Sequence, residues 1–249
     1  MASAWRAYVT GVGADKAADV GDYPARWGYR GIDVRRYERR RYGGRRRQLN
    51  LRALANRLRA ALKEVPSGGT VLDAPCGTGI LTDLFASLGL RVTGLDISAA
   101  MLEVSAQRAP EHGHVRADVE RLPFATGTFD AVVCNRFLMH LPDNVRPAVL
   151  RELARVSRGP LVVTVCHPYT LKSFSRALRR TIGMRAGRQP RIGMAQIRRE
   201  AEVAGLRLER VTAVMPLFSE VWVAVLRGGE PVPVTTPVLA PEKAPAPVG

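Results

Sequence analysis

The chain has 249 residues, 46% of them apolar and 24% charged, which suits one globular α/β domain with a substantial core plus appended segments. No run of 18 or more apolar residues occurs, which excludes a transmembrane helix. The net charge of +16 rests on 34 Arg and only 4 Lys, and the start Met-Ala-Ser-Ala-Trp-Arg offers no basic stretch followed by an apolar one, so no secretory leader is expected. Cys76, Cys134 and Cys166 form no Cys-x-x-Cys pair, and each lies in or beside an apolar run. They read as free, mostly buried thiols of a reducing cytoplasm, and no Cys/His cluster suggests a metal.

Residues 1–44 show weak periodicity and read as a basic, irregular arm. Over 45–62, Leu49, Leu51, Leu54, Leu58, Ala61 and Leu62 recur at helical spacing with arginines between them. That is an amphipathic helix, closed off by Pro66, Gly68 and Gly69. Strands are predicted at 70–72, 91–95, 114–117, 129–134 and 161–166. Between them lie helices at 80–88, ended by Gly89, at 98–108 with Ser98 as N-cap, and at 144–156. Such alternation implies parallel pairing through right-handed crossovers, hence a Rossmann-like doubly wound sheet. The end differs: after a helix at about 195–204, stopped by Gly205, two strands at 206–211 and 220–226 follow in succession around Pro216. They predict a C-terminal antiparallel hairpin, and the Pro-rich stretch 228–249 reads as a disordered tail. The domain proper is then 45–227, with a cofactor-binding core at 67–165 and a substrate-side insert at about 168–194.

The sharpest chemical signal is Val71-Leu72-Asp73-Ala74-Pro75-Cys76-Gly77-Thr78-Gly79, leading from the first strand into a helix. Glycines there let the backbone turn tightly and approach a ligand at the carboxyl end of the strand. A dinucleotide would want a third glycine where Thr82 stands, and Asp73 would repel its pyrophosphate. The acid suits a ligand that carries an amino group. Two further carboxylates follow: Asp96 ends the second strand 23 residues on, and Asp118 ends the third 22 residues later. An acid at the second strand end is a partner for two ribose hydroxyls, and Asp118 is placed to receive an adenine amino group. Any one of them alone would read as a turn cap. Three in register point to one ligand.

The block 71–142 resembles the class I S-adenosylmethionine-dependent methyltransferases of the small-molecule branch, whose motif order LDxxCGTG, GxDxSxxML, DxxxLPF and FDxVxxxxxLxHLxD is matched here from Leu72 to Asp143. The resemblance implies a seven-stranded sheet, mostly parallel, with the terminal antiparallel hairpin. It also implies S-adenosylmethionine as cofactor. Asp73 and the loop Ala74, Pro75, Cys76, Gly77 and Gly79 would hold its methionine end, Asp96 its ribose, and Ile97 and Met101 would flank the adenine. Asp118 and the Val119 amide would take the adenine edge, and Asn135 would line the sulfonium. Pro75 stands where the family usually has glycine, which stiffens the loop without removing Gly77 and Gly79.

Methyl transfer asks the protein mainly for in-line positioning, plus a proton acceptor where the nucleophile is a hydroxyl. His140 and His167, near the ends of the fourth and fifth strands, are the candidate bases, with Tyr169 a candidate for the substrate wall. No Asn-Pro-Pro-Tyr follows the fourth strand, since Asn135-Arg136-Phe137-Leu138 stands there; this argues against action on adenine amino groups or glutamine side chains. The centre, 67–165, has net charge −1, whereas 1–66 carries +10 and 166–227 carries +8. The expected acceptor is a small or amphipathic molecule, methylated on O, N or C, under a roof formed by the basic segments 27–50 and 168–194, which flank the catalytic block and lack its motifs. The expected location is cytoplasmic, with peripheral contact to the inner face of an anionic membrane left open. Two alternatives stand beside it: an RNA methyltransferase, with the arginines on phosphates and Tyr37 and Tyr42 stacking, and a non-catalytic cofactor-binding accessory protein.

Overall fold

Central strands of a parallel sheet are covered by helices on both faces, so they must be apolar on both faces. The structure, a computed structural model, describes residues 33–34, 38–39, 44–167, 170, 191–216 and 219–229. Its strands are β1 (Thr70–Asp73), β2 (Arg91–Asp96), β3 (Gly113–Arg116), β4 (Ala131–Cys134), β5 (Leu161–Cys166), β6 (Leu206–Ala213) and β7 (Val221–Gly228). They form one sheet in the order β3-β2-β1-β4-β5-β7-β6. Every residue of β4 and β5 is buried, as the central position requires, whereas the edge strands β3 and β6 are largely half-buried or exposed. The pairs among β1 to β5 are parallel, and β7 runs antiparallel to both β5 and β6. This is the expected mostly parallel sheet with a terminal hairpin.

The helices are α1 (Arg45–Ala61), α2 (Thr82–Ser87), α3 (Ala99–Arg108), α4 (Arg146–Arg155) and α5 (Met194–Val203), with a 3-10 turn at Leu138–His140. Ser98 caps α3 as expected, its Oγ accepting from the Met101 amide at 3.4 Å. Leu54 and Leu58 of α1 and Phe85 of α2 are buried in one core with Leu72 of β1 and Leu95 of β2. None of the described helices is long and apolar enough to cross a membrane.

Element boundaries shift by one or two residues from the sequence reading, and three of these shifts have a clear local reason. The helix expected from residue 80 begins at Thr82, because the preceding residues close two turns, Gly79 N–H to Cys76 O and Thr82 N–H to Gly79 O. The strand expected from residue 129 begins at Ala131, because Phe129 makes only an isolated bridge with Ser157. The third strand stops at Arg116, so Asp118 lies two residues beyond it in a turn rather than at the strand end. Most of the arm with Tyr37 and Tyr42, Tyr169, most of the insert and the tail from residue 230 lie outside the described residues.

One carboxylate fastens β1 beside β4. Asp130 Oδ2 accepts from the Thr70 amide at 2.8 Å and from Thr70 Oγ1 at 2.9 Å, and Arg158 pairs with its other oxygen at 3.1 Å. The Thr70 hydrogen bonds, aided by Arg158, hold the Asp130 carboxyl below its usual range. A depressed folded pKa gives stability that is present above the unfolded value of roughly 3.9 and is lost as pH falls through the folded one. Asp130→Ala is expected to cost about 1–3 kcal/mol in urea unfolding at pH 7, with the deficit shrinking under acid. A deficit that stays constant down to pH 2 would contradict this assignment.

Candidate active site

In a parallel sheet the carboxyl ends of the strands lie along one edge, and the loops that leave them converge there. Asp73 is the last residue of β1 and Asp96 the last of β2, and β1 and β2 are neighbours. Asp73 is 1% exposed, and neither of its carboxylate oxygens has a hydrogen-bond partner. Burial first, and the nearby Asp96 second, push its pKa up to about 8. An unpaired carboxylate in such a place is costly when ionised, and it calls for a cation or for N–H donors brought by a ligand.

Asp96 faces the same space but is tied down. Its Oδ2 accepts from the Gly77 amide at 2.9 Å and its Oδ1 from the Ser98 amide at 2.9 Å. Burial still raises its pKa, against the opposing pull of those amides. Each carboxylate oxygen offers about two lone-pair directions, so both keep capacity for a pair of ligand hydroxyls.

The loop between them is built on glycine. Gly77 has φ +56° and Gly79 φ +73°, backbone conformations that side chains disfavour. At Gly79 there is a second reason: a Cβ would lie 2.3 Å from Ser105 Oγ, so α3 seats against the loop only because the side chain is missing. Ala74 N–H bonds Val133 O, and Cys76 N–H bonds Leu95 O, which stitches the loop to β4 and β2. The Ala74–Pro75 peptide is cis. The cysteines are free; burial pushes the Cys76 and Cys134 thiols well above their ordinary range, so both stay protonated.

The remaining candidates fall into two groups. Met101 and Val119 are buried and Ile97 is half-buried, giving an apolar rim beside Asp96. The Asp118 Oδ1 accepts from the Glu120 amide at 3.0 Å, an Asx turn that fixes the Val119 backbone. On the other side, Asn135 follows β4, and its Oδ1 accepts from Thr164 Oγ1 at 2.8 Å. The same hydroxyl accepts from the Arg136 amide at 2.7 Å, and Arg136 is held at φ +56°, rare for a residue with a Cβ. Thr164, wholly buried in β5, thus orients the Asn135 amide so that its Nδ2 is the group left to donate.

The two histidines are placed differently. His140 is half-buried in the 3-10 turn that follows β4. His167 is 3% exposed, beside the β5–β7 pair, with its ring 4.3 Å from that of Trp222 and its amide bonded to Glu220 O. Burial lowers the His167 pKa, which keeps the ring neutral.

Sequence reasoning passed over Thr164, Ser105 and Arg136. Thr164 had a signal, as the one polar residue of an otherwise apolar strand. Ser105 and Arg136 had none, since their roles depend on a packing distance and on a dihedral angle.

This geometry fits the cofactor that the sequence resemblance implies. Its ammonium would answer the Asp73 carboxylate, its ribose hydroxyls would answer Asp96, and the glycine loop would leave backbone room between them. Residues 71–159 match the family model described as "Methyltransferase domain". The demethylmenaquinone methyltransferase of Renibacterium salmoninarum is 39% identical over 111 residues, 43% of this chain and 46% of that protein. The malonyl-[acyl-carrier protein] O-methyltransferase of Serratia marcescens is 36% identical over 91 residues, 36% of this chain and 35% of that one. The chain thus spans less than half the length of these curated relatives. Among solved structures, the magnesium protoporphyrin IX methyltransferase of Synechocystis with bound SAH (S-adenosylhomocysteine) superposes with a TM-score of 0.63 at 23% identity, covering 81% of this chain and 96% of that one. That likeness is one of fold.

The pKa of Asp73 makes a stability prediction. A carboxyl whose folded pKa is raised contributes stability below the unfolded pKa and loses it as pH rises through the folded value, here from roughly 4 to about 8. Without ligand, Asp73→Asn should match wild type in urea unfolding below about pH 4 and exceed it, by a few kcal/mol at most, near pH 8. A variant that is less stable than wild type at pH 8 would mean that the ionised carboxylate has a partner in the protein.

Proposed function

We propose that the chain uses residues 71–159, which match the methyltransferase-domain model, to transfer a methyl group from S-adenosylmethionine to a small or amphipathic acceptor. The observation that carries this reading is the buried, partnerless carboxylate of Asp73 beside Asp96 and the Gly77–Gly79 loop. When bound, S-adenosylmethionine supplies a methyl group already activated by its sulfonium. Asp73 pairs with the cofactor ammonium, and the backbone of the 74–79 loop surrounds its methionine end. Asp96 accepts from the ribose hydroxyls, Ile97 and Met101 flank the adenine, and Asp118 with the Val119 amide takes the adenine edge. Asn135, held by Thr164, lines the sulfonium region. If the acceptor atom is a hydroxyl oxygen, His140 accepts its proton; His167, buried under Trp222, is the less accessible alternative.

The named relatives methylate demethylmenaquinone and a malonyl group on an acyl carrier, and the structural neighbour a magnesium porphyrin. These acceptors support a small-molecule or carrier-bound substrate over RNA, and an enzyme over an accessory protein. Exposed arginines along α1, among them Arg45, Arg52 and Arg59 at seven-residue intervals, support contact with an anionic surface such as a membrane face.

Calorimetry with SAH tests the cofactor assignment: Asp96→Ala should weaken binding by about 1–3 kcal/mol, as for loss of a charge-assisted hydrogen-bonding partner. Undiminished binding by that variant would remove Asp96 from the site. Labelled S-adenosylmethionine supplied with cell extract, followed by separation of lipid, RNA, protein and small-molecule fractions, tests the substrate class. Label is expected in the lipid or small-molecule fraction, and label in RNA alone would overturn the reading. For a hydroxyl acceptor, His140→Ala should lower that incorporation about 10²-fold or more while leaving SAH affinity nearly intact.

A further inference from the structure

A buried arginine stands where helix electrostatics disfavours one. Arg146 is the first residue of α4 and is 5% exposed, so its cation sits at the positive end of the helix dipole and out of water. Departures of this kind persist where a side chain does something an apolar residue could not. Here the guanidinium is fully engaged. Its Nε–H is shared between Leu138 O at 3.0 Å and Leu141 O at 3.1 Å, one N–H gripping both ends of the turn that contains His140. One terminal nitrogen donates to Glu200 Oε1 at 2.7 Å, and the other pairs with Asp143 Oδ1 at 2.8 Å. Glu200 lies on α5 and is 7% exposed. One turn before it, Gln196 Nε2 donates both to Glu200 Oε1 at 3.0 Å and to Asp143 Oδ2 at 3.2 Å.

We infer that Arg146 is the positioning residue of the proton-accepting side of the site, setting the His140 turn in register and locking that register to α5 through Glu200. The turn's own bonds are two, His140 N–H to Phe137 O and Leu141 N–H to Leu138 O. Three residues of 3-10 helix cannot hold a ring at a fixed place by themselves. The fork of the guanidinium adds a constraint from outside the turn, because it binds the carbonyls through Nε while its far nitrogens are anchored on Glu200 of α5 and on Asp143. Lysine could keep the charge opposite Glu200, but its three N–H donors sit on one nitrogen, which cannot reach Glu200 and the two carbonyls at the same time.

The inference rests on the reading of His140 as the proton acceptor, and the test separates the two. The full-length chain is compared with its Arg146→Lys and Glu200→Gln variants by amide hydrogen exchange and by histidine ring NMR, before and after saturation with SAH. His140→Ala assigns the His140 signal among the four histidines. Arg146→Lys is expected to keep SAH affinity within about twofold and to leave the rings of His112 and His114 unmoved. Exchange at the His140 and Leu141 amides should quicken about tenfold or more, and the response of the His140 ring to SAH should be lost. Glu200→Gln retains an acceptor and should give the same pattern more weakly. A His140 ring that responds to SAH identically in wild type and Arg146→Lys, with unchanged amide exchange, overturns the inference. If Arg146→Lys does not fold, Glu200→Gln decides on the same two signals. A wild-type His140 ring indifferent to SAH would sink the proton-acceptor reading instead, while the exchange rates still decide whether Arg146 holds the turn.

Discussion

A carboxylate taken out of water without a partner is among the least favourable things a fold can contain, and Asp73 is such a group. It lies at the end of β1, next to the fully buried β4, with Val133 O occupied by the following amide of Ala74. The surroundings add to its cost rather than relieve it, since Asp96, another carboxylate, is close enough to push its pKa further up. A fold selected for stability alone would place an apolar residue or an amide there. The position makes sense as a socket whose counter-charge arrives with a ligand, and the features around it follow from that requirement.

The glycine loop is the first of them. To bring backbone amides close to a ligand, the chain must turn through left-handed conformations at Gly77 and Gly79, and α3 must come near enough for Ser105 to fill the space beside Gly79. Asp96 then serves two ends at once: it accepts the Gly77 amide, which sets the loop, and keeps lone pairs for hydroxyls. On the far side of β1 the same logic operates through Thr164, whose single hydroxyl fixes both the Arg136 backbone and the Asn135 amide. The apolar interior of the sheet supplies rigidity, and the polar groups are confined to its carboxyl edge, where strain and desolvation are concentrated.

The alternating pattern of the sequence made the sheet legible because central strands and amphipathic helices differ in period; β5 runs over the residues its apolar block marks, and the Ser98 cap is where a serine before a helix should be. The three carboxylates were visible through their spacing, although the turn after β3 carries Asp118 past the strand end. What escaped was set by tertiary geometry. The start of α2 was lost to turns that the glycine loop consumes, and Ser105 looks like any helical serine until its distance to Gly79 is known. Arg146 and Glu200 are 54 residues apart, and nothing in either local pattern announces that they meet. Surface composition was a poor guide for the same reason: arginines are abundant along the whole chain, and only packing separates the buried, fully bonded Arg146 from the exposed Arg52 or Arg59.

If Asp73 is the socket for a ligand ammonium, it must give up its proton to form the pair, because burial holds its pKa up to about 8 in the free protein. Calorimetry of SAH binding at pH 7, in two buffers of different ionisation enthalpy, measures that proton directly. About one proton should be released per SAH bound, fading as pH rises through about 8 and absent in Asp73→Asn. Tight binding of SAH with no proton released, or the same release from Asp73→Asn, would contradict it.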